Sequence, residues 1–208
     1  DAKTAAILGF SIFTKYQTFI KDKANKVNYK LLNTFLKTNK NKKFLIFGFT
    51  SDVYFSLNEI SKKIKQDLSK AILLHGGGWK KLENKKISNT KFNKFIIKNF
   101  NIKKIINYYG LIEQVGSIFF ECSNCNVFVC SKYSDIIIRD KSFNVKVSGK
   151  GIVQLLSKLP TSYPGHNILT EDYGEILSTK GCKCGLNGKT FKIYGRIKES
   201  EVRGCSNV

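Results

Sequence analysis

The six residues Phe44-Leu-Ile-Phe-Gly-Phe49 are apolar without a break. A strand with one wet face alternates polar and apolar residues, so an unbroken run of this length marks a strand covered on both faces, as in parallel α/β sheets. Ser51 and Asp52 stand directly behind it as the expected cap of a helix, whose Val53, Leu57, Ile60, Ile64 and Leu68 recur at helical steps on one stripe. Ala71 to Leu74 reads as a second buried strand ending in the loop His75-Gly-Gly-Gly-Trp79. Phe92, Phe95, Ile96 and Phe100 suggest a further helix, and Lys104 to Asn107 a third strand. Strand, helix, strand, helix, strand predicts a parallel sheet with right-handed crossovers.

The pattern then changes. Ser117–Glu121, Val127–Cys130, Asp135–Asp140, Val145–Val147, Ile152–Leu156, Glu175–Ser178 and Thr190–Tyr194 read as short strands separated by turn residues. They predict an antiparallel meander or small barrel. The expected fold class is therefore α/β, with a parallel α/β part over residues 1–116 and a smaller β-rich part over residues 117–208.

Charge follows the same division. Residues 1–108 hold 23 lysines against six acidic residues, whereas residues 109–208 hold 13 basic against nine acidic ones. The net charge of +21 invites a polyanion-binding reading, and a zinc-containing nucleic-acid-binding module is kept as an alternative on that ground. Against it, Arg139, Arg196 and Arg203 are the only arginines, and bidentate phosphate and guanine contacts favour the planar guanidinium. The lysines also accompany many asparagines and isoleucines, as A/T-rich codons produce, so no nucleic-acid partner is expected. The longest apolar stretch, Ala5 to Phe13, is about half of what a bilayer crossing needs, so no membrane span is expected and the location is expected to be cytoplasmic. With no methionine among its 208 residues, the sequence is expected to be a piece of a longer polypeptide.

Six cysteines occur, all in the second half, at 122, 125, 130, 182, 184 and 205. Cys122-x-x-Cys125 with Cys130, and Cys182-x-Cys184, supply five thiols that a β-rich domain can gather around a structural zinc ion. Scattered buried thiols and redox chemistry are the competing readings, and Cys130 is an alternative ligand to Cys125. Cys205 stands apart behind Arg203-Gly204, where neighbouring cations favour the thiolate that an acyl acceptor needs. An incidental exposed cysteine is the plain alternative. His75 and His166 are the only histidines, and neither forms a Cys-His motif.

Three segments carry further chemistry. Tyr108-Tyr-Gly-Leu-Ile-Glu-Gln114 follows an expected buried strand, at the end where ligands of such sheets bind. Thr170-Glu-Asp-Tyr-Gly174 reads as an acidic turn, and Tyr194-Gly-Arg196 closes the last strand with a rare arginine. Each alone is compatible with an ordinary turn.

In this order the three segments resemble the adenylate-forming enzymes, the superfamily of acyl-CoA synthetases and luciferase-like ligases. Together with His75-Gly-Gly-Gly-Trp-Lys-Lys-Leu82, Tyr109-Gly-Leu-Ile-Glu-Gln-Val-Gly116, Gly181-Cys-Lys-Cys-Gly185 and Glu201-Val-Arg-Gly-Cys-Ser206, the sequence from about residue 44 onward resembles the LuxE-type acyl-protein synthetases. The resemblance implies ATP-dependent activation of a long-chain fatty acid as an acyl-adenylate, with ATP and Mg2+. It implies transfer of the acyl group to Cys205 and onward to an acyl reductase or acyl-transferase partner. By the same resemblance Tyr109 and Gly110 form the adenine motif and Glu113 ligates Mg2+. Asp172 and Arg196 then grip the ribose, and Gly76, Gly77 and Gly78 line the nucleotide and acyl pocket. Ile112 departs from the usual threonine, and the phosphate loop is expected upstream of residue 1. A phenylacetate-type acyl-CoA ligase, in which CoA replaces Cys205 as acceptor, is the nearest alternative.

Overall fold

A computed structural model describes residues 2–197 of the chain. Cys205 and the segment Glu201–Ser206 lie outside the described residues. The chain forms two compact units, one reaching Ile105 and the other beginning at Ile106.

The first unit opens with helices over Ala2–Ser11 (α1) and Tyr29–Thr38 (α2), neither of which the sequence reading anticipates. Phe44–Phe49 (β1) and Ala71–Gly76 (β2) pair in parallel, Phe44 opposite Ala71 and Phe49 opposite Gly76. Helix α3 (Thr50–Lys63) joins them, and α4 (Asn89–Phe100) follows β2. Val53, Leu57 and Ile60 of α3 meet Leu73 of β2 and Phe92, Ile96 and Phe100 of α4 in one core, as their spacing predicts.

Two expectations are corrected here. β1 is only half-buried along its length, because β2 is its one strand neighbour in this unit, whereas β2 is buried at five of six positions. Nor do Ser51 and Asp52 cap α3: the helix starts at Thr50, with Phe49 as the cap residue and no side-chain cap bond. Asp52 instead sits in the first turn, where a carboxylate suits the helix dipole. The chain turns so sharply that a Cβ on Gly48 would lie 2.8 Å from Val53 Cγ2.

Strand β3 (Lys104–Gly110) enters the second unit, which continues with β4 (Ile118–Cys122), β5 (Val127–Val129) and β6 (Ser134–Arg139). Strands β7 (Gly151–Ser157), β8 (Asn167–Ser178) and β9 (Thr190–Arg196) complete it. Their order is β3-β4-β5-β9-β8-β7-β6, antiparallel throughout. Phe119, Phe128, Ile136, Ile138, Val153, Leu155 and Phe191 form its core. Val145–Val147, expected as a strand, contributes only a single bridge from Val145 to Arg139, and Val147 is fully exposed. No helix among the described residues is long and apolar enough to cross a membrane.

Candidate functional site

Thr170–Gly174, expected as a turn, lies inside the twelve-residue strand β8. The strand bends there: its register against β9 shifts between Tyr173 and Gly174. Gly174 is forced by that irregularity, since a Cβ would lie 2.7 Å from both Lys192 O and Val153 Cγ2. The bend sets Asp172 opposite Arg196 of β9.

Tyr109, near the end of β3, reaches the same place from the other side of the sheet. Its hydroxyl donates to Asp172 Oδ2 at 2.7 Å, and its ring packs against Phe119, Phe128 and Phe191 with centroids about 6 Å away. Thr170 steadies the acidic residue from below, accepting the Asp172 N–H at 3.0 Å while donating to Val153 O at 2.8 Å. Burial raises the Asp172 carboxyl above its ordinary range, opposed by the Tyr109 hydrogen bond and the Arg196 charge. Burial and the neighbouring Asp172 together hold the Tyr109 phenol well above its usual value, so it stays a donor. Asp172 Oδ1 has no hydrogen-bond partner among the described residues and is available as an acceptor for a ligand hydroxyl. The Arg196 guanidinium pairs with Glu171 Oε2 at 3.2 Å. The fold thus brings Tyr109, Asp172 and Arg196 together. Glu113 stands exposed on the loop after β3.

In the first unit, Gly76 ends β2, and Gly77 and Gly78 follow with φ of +74° and +61°. A Cβ on Gly77 would also meet the Phe49 ring at 2.7 Å, so this loop admits only glycine without rearrangement. Just before it, buried His75 Nδ1 lies 3.0 Å from Thr50 Oγ1, and Thr50 donates its one hydroxyl hydrogen to Gly76 O at 3.0 Å. The hydroxyl must then accept from His75, which fixes the neutral Nδ1–H tautomer. Burial lowers the His75 pKa from 6.5 to about 4. Thr50 thereby ties the β1–α3 turn to the glycine loop at the carboxyl ends of two parallel strands. The sequence reading gave it no role.

A second cluster lies at the β4–β5 turn and the β8–β9 connection. The Sγ atoms of Cys122, Cys125, Cys182 and Cys184 all lie within 4.8 Å of one another, with Cys125 to Cys184 at 3.2 Å and Cys182 to Cys122 at 3.8 Å. A tetrahedron with Zn–S bonds of ~2.3 Å has edges of ~3.8 Å, so the four thiols fit a closed zinc site. Burial opposes ionisation of Cys122, yet backbone N–H groups of Cys125 and Asn124 and the Cys182 and Cys184 thiols bring it down to about 7. Cys130 is not part of the cluster, which corrects its expected place among the ligands. It is buried in the Phe119–Phe191 core, and desolvation pushes its thiol up to about 12.

Residues 2–208 match the family model of LuxE, acyl-protein synthetase. No curated protein sequence matches the chain. Among solved structures, a long-chain-fatty-acid-CoA ligase from Archaeoglobus fulgidus is similar at TM-score 0.54 and 11% identity, over 83% of this chain and 37% of that one. O-succinylbenzoate coenzyme A synthetase from Bacillus subtilis, in complex with ATP and magnesium ion, is similar at TM-score 0.54 and 10% identity, over 79% and 34%. The adenylation domain of a keto acid-selecting NRPS module, bound to keto acyl adenylate, is similar at TM-score 0.53 and 12% identity, over 81% and 37%. At such identities the likeness is one of fold, and the chain spans only 34% to 37% of the length of each.

Proposed function

The chain belongs to the LuxE acyl-protein synthetase family, and from that premise we propose that it serves the ATP-dependent activation of a long-chain fatty acid. In this reading the fatty-acid carboxylate attacks the α-phosphorus of ATP and pyrophosphate leaves. A thiolate of Cys205 then attacks the carbonyl carbon of the acyl-adenylate, AMP leaves, and a protein thioester remains. The thioester passes to an acyl reductase or to an acyl-transfer partner.

The observation that carries the reading is the Tyr109–Asp172 hydrogen bond beside Arg196. It leaves one carboxylate oxygen free for ribose hydroxyls, and Arg196 on the adjoining strand β9 places a cation opposite Asp172. Glu113 would hold Mg2+, which supplies charge neutralisation on the phosphates. Gly76, Gly77 and Gly78 let a ligand approach the backbone closely. Cys122, Cys125, Cys182 and Cys184 would hold a structural zinc ion, and reduced thiols of this kind suit the cytoplasm.

The test is incubation of the full natural polypeptide with radioactive tetradecanoate and ATP. A hydroxylamine-sensitive label on the protein, lost in Cys205→Ala, is the expected result. An unlabelled protein, or a label that survives the substitution, refutes self-acylation. The structural likeness to CoA ligases supports a second reading in which CoA is the acceptor, and CoA consumption by Cys205→Ser would identify it.

A further inference from the structure

Gln114 is 1% exposed, although Ile112, Glu113, Val115 and Gly116 around it are all exposed. It is the shared corner of two consecutive turns: its N–H donates to Leu111 O at 3.2 Å, and its carbonyl accepts from Ser117 N–H at 3.1 Å. Its side chain turns inward from the loop towards β7 and the β7–β8 connection. Nε2 donates to Leu155 O at 3.3 Å and to Gly165 O at 3.0 Å. With two carbonyls as partners, the amide orientation is determined: both hydrogens are used there, and Oε1 points elsewhere. Oε1 is buried and without a partner among the described residues. A buried amide with an unsatisfied acceptor is a poor device for stability alone.

The neighbouring contacts act on the same short segment. Val115 N–H donates to Tyr163 Oη at 2.8 Å, and Ser117 Oγ donates to Ser157 Oγ at 2.6 Å. Gly165 lies so close that a Cβ there would be 2.9 Å from Glu113 O. Resting on the reading of Glu113 given above, we infer that Gln114 is the positioning residue for the Glu113 carboxylate. It fastens the loop to Leu155 O of β7 and to Gly165 O of the β7–β8 connection, and so fixes where the exposed neighbour stands. Glutamate at this position would set oxygen, not an amide donor, against two carbonyls.

The test compares Gln114→Met and Gln114→Glu with the unaltered full natural polypeptide. Two readouts are taken: ATP–pyrophosphate exchange against Mg2+ concentration, and amide deuterium exchange over residues 111–117. Loss of an outer support of a metal ligand weakens metal affinity about tenfold or more. The Met variant should raise the half-saturating Mg2+ concentration by that factor, with a smaller effect on the rate at saturation, and should lose amide protection in the loop. The Glu variant keeps the length of the side chain but sets oxygen rather than an amide donor against both carbonyls, so it should lose protection as the Met variant does, which a purely space-filling role would not produce. An unchanged Mg2+ requirement in an active protein, or equal loop protection in all three proteins, overturns the inference. If the unaltered protein shows no pyrophosphate exchange, the proposed function fails, and the deuterium readout alone still decides whether Gln114 fastens the loop.

Discussion

The Tyr109 hydroxyl and Asp172 Oδ2, separated by 63 positions in sequence, meet at 2.7 Å across the sheet. The bond aims a partly buried carboxylate and favours its ionised form against the desolvation that raises its pKa. Tyr109→Phe keeps the ring among Phe119, Phe128 and Phe191 and removes only this bond. A hydrogen bond to a charged group contributes ~1.5–3 kcal/mol, so AMP affinity in the full natural polypeptide should fall about tenfold or more. Calorimetric titration measures it, and an affinity equal to the parent's would dissociate the pair from nucleotide binding.

The thiol cluster predicts one zinc ion per chain in freshly prepared, reduced protein. Native mass spectrometry should find it, and should find it missing from Cys182→Ser. Cys130→Ala should keep the ion, because that thiol belongs to the aromatic core. Loss of the metal from the Cys130 variant would show that the four-thiol assignment is wrong.

His75 makes stability depend on pH in a defined window. Its folded pKa of about 4 lies below the unfolded 6.5, so the unfolded chain binds a proton first as the pH falls. The stabilisation is complete above pH 6.5 and is lost on acidification towards pH 4, by at most ~3 kcal/mol. Urea melts of the parent and of His75→Gln from pH 7.5 to 4.5 should show a steeper decline in the parent. Parallel curves would refute the buried neutral histidine.

Gly77 and Gly78 should differ under the same substitution. Both have positive φ, which costs an alanine ~1–2 kcal/mol. Only Gly77→Ala also meets the Phe49 ring, since nothing lies within 4 Å of a Cβ on Gly78. The melting temperature should therefore fall further for Gly77→Ala. Equal losses would mean that the ring moves aside without cost.

How much of this was legible beforehand depended on whether the signal was local. The run Phe44–Phe49 and the stripe Val53, Leu57, Ile60 located β1 and α3 because hydrophobic periodicity is written along the chain. The half-burial of β1 was not legible, since an edge is a property of neighbours. Glu171 and Asp172 looked like a turn because acidic residues are rare in strands, yet a strand with one solvated face tolerates them, and the bend at Gly174 depends on Lys192 and Val153. Five cysteines were legible as candidate metal ligands from spacing, while the exclusion of Cys130 required knowing that, just past the end of β5, it packs into the core. Gln114 and Thr50 left no pattern at all. Their partners, Leu155, Gly165, His75 and Gly76, come from distant strands and connections.

The corner that holds the four thiols is built from two tight turns, in which Asn126 N–H donates to Cys122 O at 2.7 Å and Gly185 N–H to Cys182 O at 3.0 Å. Cys184 is exposed, Cys125 and Cys182 are half-buried, and the connection between β8 and β9 contains Gly181, Gly185 and Gly188, all at positive φ. Under the zinc proposal, an ion joining the four thiols would tie the β4–β5 turn to the β8–β9 connection, although Cys122 and Cys182 are 60 positions apart in sequence.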